Sequence, residues 1–387
     1  MNMNENEQKI LAKSRCWVEI SESRLRHNLR EIRKHVPPTS SLLAVVKANA
    51  YGHGAAQVAR IALEEGARYL AVACLEEALE LREAGVTAPI LILSPSPAET
   101  VPLLCRYGIT QTVGSAEEAR GYLSHHISDL PALKLHIKFD TGMGRLGWSL
   151  REEDREQSMA EILSLKDISA FDFEGALTHF ATASAEDESY HELQFSRFQS
   201  AVCQLRQEGF SLPLAHCANS ATIVRRPDMA MDMVRAGIIL YGGRDGDFMK
   251  TAIDLQPVMC LKAKISAIRE LAAGEGISYG LLYRTPERMR IGIVECGYAD
   301  GFQRALSGKA LLSLHGQRVP QLGRICMDRM MVDLRATPEA RVGDVLTLLG
   351  GDSRDFVDPD EQAERAGTIS YELFCDISQR VPRFYLP

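Results

Sequence analysis

The chain has 387 residues, 45% hydrophobic and 25% charged, which is the balance of a globular protein with enough length for two domains. A net charge of −7 without any basic run excludes an extended nucleic-acid surface. Nine cysteines with no Cys-x-x-Cys pair argue against a zinc site or disulfide framework and fit reduced thiols in a cytoplasmic protein; no run is apolar enough to span a membrane. Residues 1–15 read as a polar leader lacking the apolar segment of a signal peptide, a pattern that also suits a soluble piece cut from an upstream membrane domain.

Cys16–Ile20 alternates as a strand. Ser21 then reads as a helix cap before Leu25, Leu29 and Ile32 at helical spacing. Short uninterrupted apolar runs follow at Leu42–Val46, Tyr69–Ala73, Pro89–Leu93, Thr110–Val113, Leu133–Phe139, Phe173–His179, Leu214–Cys217 and Val234–Leu240. Helical patterns such as Ala55–Glu65 and Leu75–Ala84 lie between them. Strands covered on both faces look like this, so the expectation is an α/β fold: a (β/α)8 TIM-like barrel within residues 16–256. The leading strand Cys16–Ile20 is free to pair with the second domain. An open doubly wound sheet is the alternative, but no Gly-x-Gly-x-x-Gly follows the first strand. From Pro257 the pattern changes to Val258–Ile268, Arg290–Glu295, Ala310–Leu314, Met330–Leu334 and Val345–Leu349 between turns. Residues 257–387 therefore read as a mostly β domain, with helical signal only at Thr368–Cys375 and a solvated acidic loop at Gly350–Gly367.

Polar residues cluster just past the barrel strands. Lys47 follows the first, where an amine loses its charge more easily and can form Schiff bases; the plainer reading is a strand-end lysine snorkelling to water. Lys138, Asp140 and Arg145 follow the fifth strand. His179 ends the sixth, where a satisfied structural histidine is the usual finding. Asn219 and Ser220, after the seventh, suit either a phosphate or a helix cap. Arg235 lies on the eighth, where an unpaired guanidinium would be costly. Barrels often hold phosphate in the loops after strands seven and eight, where Ser220, Gly237 and Ile238 fall.

The segment Lys47-Ala-Asn-Ala-Tyr-Gly-His-Gly54 is similar to the cofactor-lysine motif of the alanine racemase family. The resemblance runs from about Arg15 to Arg383. It continues through Asp140-Thr-Gly-Met-Gly-Arg-Leu-Gly147, Thr178-His-Phe180, His216-Cys-Ala-Asn-Ser220, Arg235-Ala-Gly-Ile238 and Ile277-Ser-Tyr-Gly280. Gly297-Tyr-Ala-Asp-Gly301, Gly323-Arg-Ile-Cys-Met-Asp328 and Thr368-Ile-Ser-Tyr-Glu372 complete it. A lysine, a phosphate pocket, an arginine and a histidine at one barrel mouth are what pyridoxal 5′-phosphate (PLP) requires.

The resemblance implies a PLP-dependent isomerase, a homodimer with shared active sites, and no metal. Removing a proton from one face of Cα and returning it on the other calls for two bases, which the family pattern makes Lys47 and Tyr279 of the other subunit. Tyrosine needs nearby positive charge to serve as a base, and the pattern puts His179 and Arg235 close to it. Arg235 is expected at the pyridine nitrogen, leaving it largely unprotonated because arginine keeps its proton. Arg145 and the partner backbone at Met327 are expected to hold the substrate carboxylate. Lys138 matches a position carbamylated in some members. Tyr51, Ser220, Gly237, Ile238 and Tyr371 match phosphate-site positions, with Asn219 beside them; Tyr298 and Asp328 match the entrance. Tyr371 beside the substrate side chain favours alanine over serine. Serine is the alternative, through the catalytic domains of vancomycin-resistance membrane proteins. A PLP decarboxylase or a non-catalytic PLP-binding protein are further alternatives, against which Tyr279 and Met327 argue.

Overall fold

The computed structural model describes Lys13 and residues 15–387, so the leader expected over residues 1–15 lies almost wholly outside the described residues. Strand β1 (Cys16–Ser21) runs into the helix Glu22–His35. Ser21 caps that helix, its Oγ accepting the Arg24 N–H, and Leu25, Leu29 and Ile32 form its buried stripe. Burial of each such side chain contributes about 2 kcal/mol.

The barrel follows as β2 (Ser41–Val45), β3 (Tyr69–Val72), β4 (Ile90–Ile92), β5 (Thr110–Val113), β6 (Leu133–Asp140), a short side strand β7 (Trp148–Ser149), β8 (Phe171–Leu177), β9 (Leu214–His216) and β10 (Met233–Ala236). The parallel order is β10-β2-β3-β4-β5-β6-β8-β9. Two backbone hydrogen bonds bridge the remaining gap, from the Asp232 N–H to the Ala215 carbonyl and from the Arg235 N–H to the Ala218 carbonyl, each 3.0 Å. The Asp232 carboxylate accepts the Ala215 N–H at 2.8 Å and tightens the same seam. This is the near-closed TIM-like barrel the apolar runs predict.

Two expected barrel strands end early by two or more residues. Phe173–His179 is observed as Phe171–Leu177, so His179 stands in the loop beyond. Val234–Leu240 is strand only to Ala236; Ile238–Tyr241 is a buried 3₁₀ turn. A continuous apolar run reports burial and does not distinguish strand from buried helix.

The second sheet comprises β11 (Met259–Leu271), β14 (Met289–Val294), β15 (Leu311–Leu314), β16 (Gln317–Leu322), β17 (Met330–Asp333), β18 (Val345–Leu349) and β19 (Arg383–Leu386), with a separate hairpin of β12 (Gly276–Ile277) and β13 (Tyr283–Arg284). Its order, β14-β17-β16-β15-β18-β11-β1-β19, closes through β14–β11 into a second barrel. A bulge between Ile265 and Ala267 marks where β11 bends to serve β14. β1 pairs antiparallel with β11, from Cys16 opposite Ala263 to Ile20 opposite Met259.

Sequence reading missed β16, which carries Pro320, a residue that demotes a strand assignment. The acidic stretch expected as a loop contains the helix Pro359–Ala366. Asp358 caps it, Pro359 opens it, and Gly367 ends it in the left-handed region. Its apolar stripe is too short to show a period. No helix among the described residues is long and apolar enough to cross a membrane.

Candidate active site

The segment after β2 is one left-handed helical turn. Ala48, Asn49, Ala50 and Tyr51 have φ of 51°, 52°, 53° and 52°. Each such L-residue costs about 1–2 kcal/mol, so its surroundings must hold it. One oxygen of the Glu77 carboxylate accepts the Ala48 N–H at 2.6 Å and the other accepts the Ala73 N–H at 2.7 Å. Asn49 Oδ1 accepts the Ala55 N–H at 2.8 Å and so caps the helix Ala55–Glu64. The Tyr51 ring packs on Tyr241 at 4.9 Å between centroids.

His53 locks the far side of the turn. It is fully buried against Tyr241 and Phe374, and its Nδ1–H faces the carbonyls of Ala50 (3.0 Å) and Tyr51 (2.9 Å). Burial pulls its pKa from 6.5 to about 3. The unfolded chain then binds a proton that the folded chain refuses, so stability rises with pH across that window and is lost as the pH falls from 6.5 towards about 3. In a His53→Gln variant the urea midpoint should fall less steeply over the same acid range; an unchanged slope would show that His53 is not a source of acid sensitivity.

At the carboxyl ends of the barrel strands lies a cavity of about 720 Å³. Lys47, Tyr51, Lys138, Arg145, His179, Asn219, Ser220, Arg235, Gly237, Ile238 and Tyr371 all line it. Asp245, Glu372 and Cys375, not singled out from the sequence, line it too. They come from the loop after β10 and from the helix Ser370–Asp376, whose approach to the barrel no local pattern announces.

The wall is cationic. Burial, and then the charge of Arg145, lower the Lys47 pKa. Burial, with Arg235 and Arg145, pulls Lys138 down to about 7. Burial lowers Arg235 to about 10, so it stays charged near neutrality. Its Nη1 donates to His216 Nδ1 (3.0 Å) and the His216 carbonyl (2.9 Å). Its Nη2 donates to the carbonyls of Thr178 (2.8 Å) and Cys217 (3.0 Å) and to His179 Nδ1 (3.0 Å). Because His179 Nδ1 accepts, the proton of its neutral ring sits on Nε2. Burial, followed by the charge of Arg235, holds the His179 pKa far below its usual value.

At another wall the Gly237 N–H donates to Ser220 Oγ at 3.0 Å. A Cβ at Gly237 would come within 3.2 Å of the Tyr51 hydroxyl and 3.4 Å of Ser220 Oγ, so glycine keeps this recess open. Tyr371 stands 5.8 Å from Tyr51 between ring centroids, and burial raises both phenol pKa values. Asn219 Oδ1 is committed to capping, accepting from the Thr222 N–H at 3.1 Å and its hydroxyl at 3.0 Å.

Tyr279, Tyr298, Met327 and Asp328 do not line this cavity. They share another surface. Ser278 Oγ donates to the Arg324 carbonyl at 2.6 Å, and the N–H groups of Tyr298 and Ala299 reach the carbonyls of Cys326 (3.1 Å) and Met327 (2.9 Å). Tyr279 is 70% exposed and Met327 53%. Asp328 accepts from Arg380 Nη2 at 2.8 Å. Elsewhere, Cys16, Cys296 and Asp300 lie within 4.8 Å of one another. Asp300 is already bound by Arg15 (2.9 Å) and Arg380 (2.8 Å), and two guanidinium groups repel a metal cation.

Residues 20–245 match the family "Alanine racemase, N-terminal domain" and residues 258–385 match "Alanine racemase, C-terminal domain". An alanine racemase of Desulfovibrio desulfuricans is 43% identical over 371 residues, covering 96% of this chain and 98% of that protein. One from Methanococcus maripaludis is 42% identical with the same coverage. Among solved structures, the alanine racemase of Clostridium difficile 630 superposes with a TM-score of 0.90 at 39% identity, covering 96% of both chains. That of Bacillus anthracis with bound L-Ala-P has a TM-score of 0.89 at 37% identity, covering 96% of this chain and 95% of that one. With both domains matched and full-length relatives near 40% identity, the chain belongs to the alanine racemase family.

Proposed function

We propose that the protein is a PLP-dependent isomerase interconverting L- and D-alanine, with Lys47 as the cofactor lysine. The observation that carries this reading is the cavity itself, which joins the desolvated Lys47 to the buried Arg235 and to the recess at Gly237. The residues present fit the cofactor. The recess, with the Ser220, Tyr51 and Tyr371 hydroxyls and the backbone at Gly237 and Ile238, suits its phosphate, and the cationic wall favours an anion. The hydrogen bonds of Arg235 run from Nη1 and Nη2, which leaves Nε to suit the ring nitrogen. When bound, PLP supplies an aldehyde that condenses with amines and a ring that takes up the electron pair left by the Cα proton.

The chain's own residues supply the proton handling. The lowered pKa of Lys47 makes its amine available as a base on one face of Cα. Tyr279 of the partner subunit serves the other face. His179, neutral with a proton on Nε2, offers a hydrogen bond to that phenol, and the charge of Arg235 behind it favours the phenolate. Arg145 and the backbone at Met327 of the partner subunit hold the substrate carboxylate. Lys138, neutral above about pH 7, has the free amine that carbamylation requires, and a carbamate there orients Arg145. Tyr298 and Asp328 border the entrance.

A homodimer completes this site. Tyr279, Leu281, Leu282 and Met327 are large apolar side chains left exposed in the single chain, of the kind a second copy covers. The reading is tested by comparing kcat/KM for L-alanine and L-serine in PLP-loaded enzyme. Alanine should be preferred by about 10²-fold, the usual limit for rejecting one added hydroxyl. Equal turnover would favour the serine reading and remove Tyr371 as the discriminator; no turnover of either would return the decarboxylase and the non-catalytic binder.

A further inference from the structure

Arg235 is a buried cation with no carboxylate among its direct partners. Its acceptors are three backbone carbonyls and the rings of His179 and His216. Such a charge is costly unless something balances it. The balance is found two rings away. His216 Nε2 lies 2.9 Å from His136 Nδ1, and His136 Nε2 lies 3.6 Å from Glu174 Oε1. Both histidines are fully buried, and His136 Nε2 has no hydrogen-bond partner among the described residues.

The direction of every proton in this stack follows from one fact: arginine only donates. His216 Nδ1 must accept from Arg235, so its proton is on Nε2 and is given to His136 Nδ1. The His136 proton is then on Nε2, facing the Glu174 carboxylate. Burial alone would raise the Glu174 pKa, but the facing His136 ring and the Tyr69 and Thr110 hydroxyls outweigh that and hold it at about 2. Lys134 Nζ (3.2 Å) and the Thr110 hydroxyl (2.7 Å) also bind the carboxylate, as does the Tyr69 hydroxyl. Burial keeps both imidazoles neutral.

Two backbone features build the stack. Between β6 and β8 the register passes from Leu135 opposite Phe173 to His136 opposite Gly175, leaving Glu174 as the extra residue of a bulge. A bulge re-aims a side chain, here towards His136. Gly175 lies on β8, between the two histidine-bearing strands. A Cβ there would meet the His136 ring at 2.5 Å from Cε1 and 2.7 Å from both nitrogens. Glycine is what lets His136 reach across β8 to His216.

We propose that Glu174 is a positioning residue for Arg235: through His136 and His216 it fixes one tautomer along the stack and holds the guanidinium charged, with Nε free towards the cavity. The purpose of that free Nε rests on the PLP reading; the stack does not.

The test uses full-length protein labelled with [15N]histidine, with and without PLP, the signals assigned through His136→Gln and His216→Gln. In wild type both rings should be neutral Nε2–H tautomers. A protonated ring or an Nδ1–H tautomer at either position overturns the proposal. In Glu174→Gln the His136 nitrogen shifts should move, and kcat for alanine should fall by about tenfold with a smaller change in KM, the scale seen when a partner behind a directly acting group is lost. Glu174→Asp should restore part of it. Wild-type kcat together with unmoved nitrogen shifts in Glu174→Gln would also overturn it. Absence of racemisation in the wild-type enzyme with the expected tautomers would instead overturn the functional reading and leave the stack standing.

Discussion

A Lys47→Ala variant is expected to lose alanine racemisation by about 10⁴-fold, the upper end of what one positioned proton-transfer group contributes. The visible absorbance of the PLP-loaded enzyme should go with it, because the covalent anchor is the same amine. Lys47→Arg separates amine from charge. Arginine keeps a positive charge in the same cationic wall but holds its proton too tightly to act as base or nucleophile. It should be as inactive as the alanine variant, and retained turnover in Lys47→Arg would sink the assignment. Folding should survive both changes. Burial and Arg145 disfavour the charged lysine, so its removal to alanine relieves an unfavourable charge. A thermal midpoint of PLP-free Lys47→Ala at or above that of PLP-free wild type is the check.

The second large effect concerns Tyr279. The single chain leaves it 70% exposed and away from the cavity, so its contribution requires a second copy. Tyr279→Phe keeps the ring and removes the hydroxyl; the homodimer should lose about 10²- to 10⁴-fold in kcat. Lys47→Ala and Tyr279→Phe chains carrying different tags can be co-expressed and purified through both tags. Each mixed dimer then holds one site with both defects and one site with neither. It should recover about half the wild-type rate, since one of two symmetric sites is intact. If the mixed dimer is as inactive as its parents, the site is not shared between subunits and Tyr279 is not the second base.

Much of the barrel and its mouth was legible in the residues. Strands buried on both faces must be apolar throughout, and that constraint is local, so runs such as Leu42–Val46 and Thr110–Val113 announced themselves. Polar residues at or just past the carboxyl ends of such runs, among them Lys47, Lys138 within β6, and His179, had to fall at one end of the barrel once the strands were parallel. The motif resemblance supplied their expected roles. Proline hid β16, and the eight-residue helix Pro359–Ala366 is too short for its apolar stripe to show a period.

Other features depend on register and contact between distant segments. Four consecutive positive φ values are unfavourable for any local sequence of Ala, Asn and Tyr. They persist because Glu77, Tyr241 and Phe374 arrive from elsewhere to hold them. His136 alternates along β6 like any strand residue. Its link to His216 exists only because the bulge at Glu174 and the missing side chain at Gly175 fall beside it once β6, β8 and β9 are aligned. The sequence by itself therefore determined which residues are buried and which stand at strand ends, because solvent exclusion acts residue by residue. Only the tertiary structure decided how the protons and charges behind Arg235 are arranged, because a hydrogen-bond direction is set by the partner across the barrel and not by the neighbour along the chain.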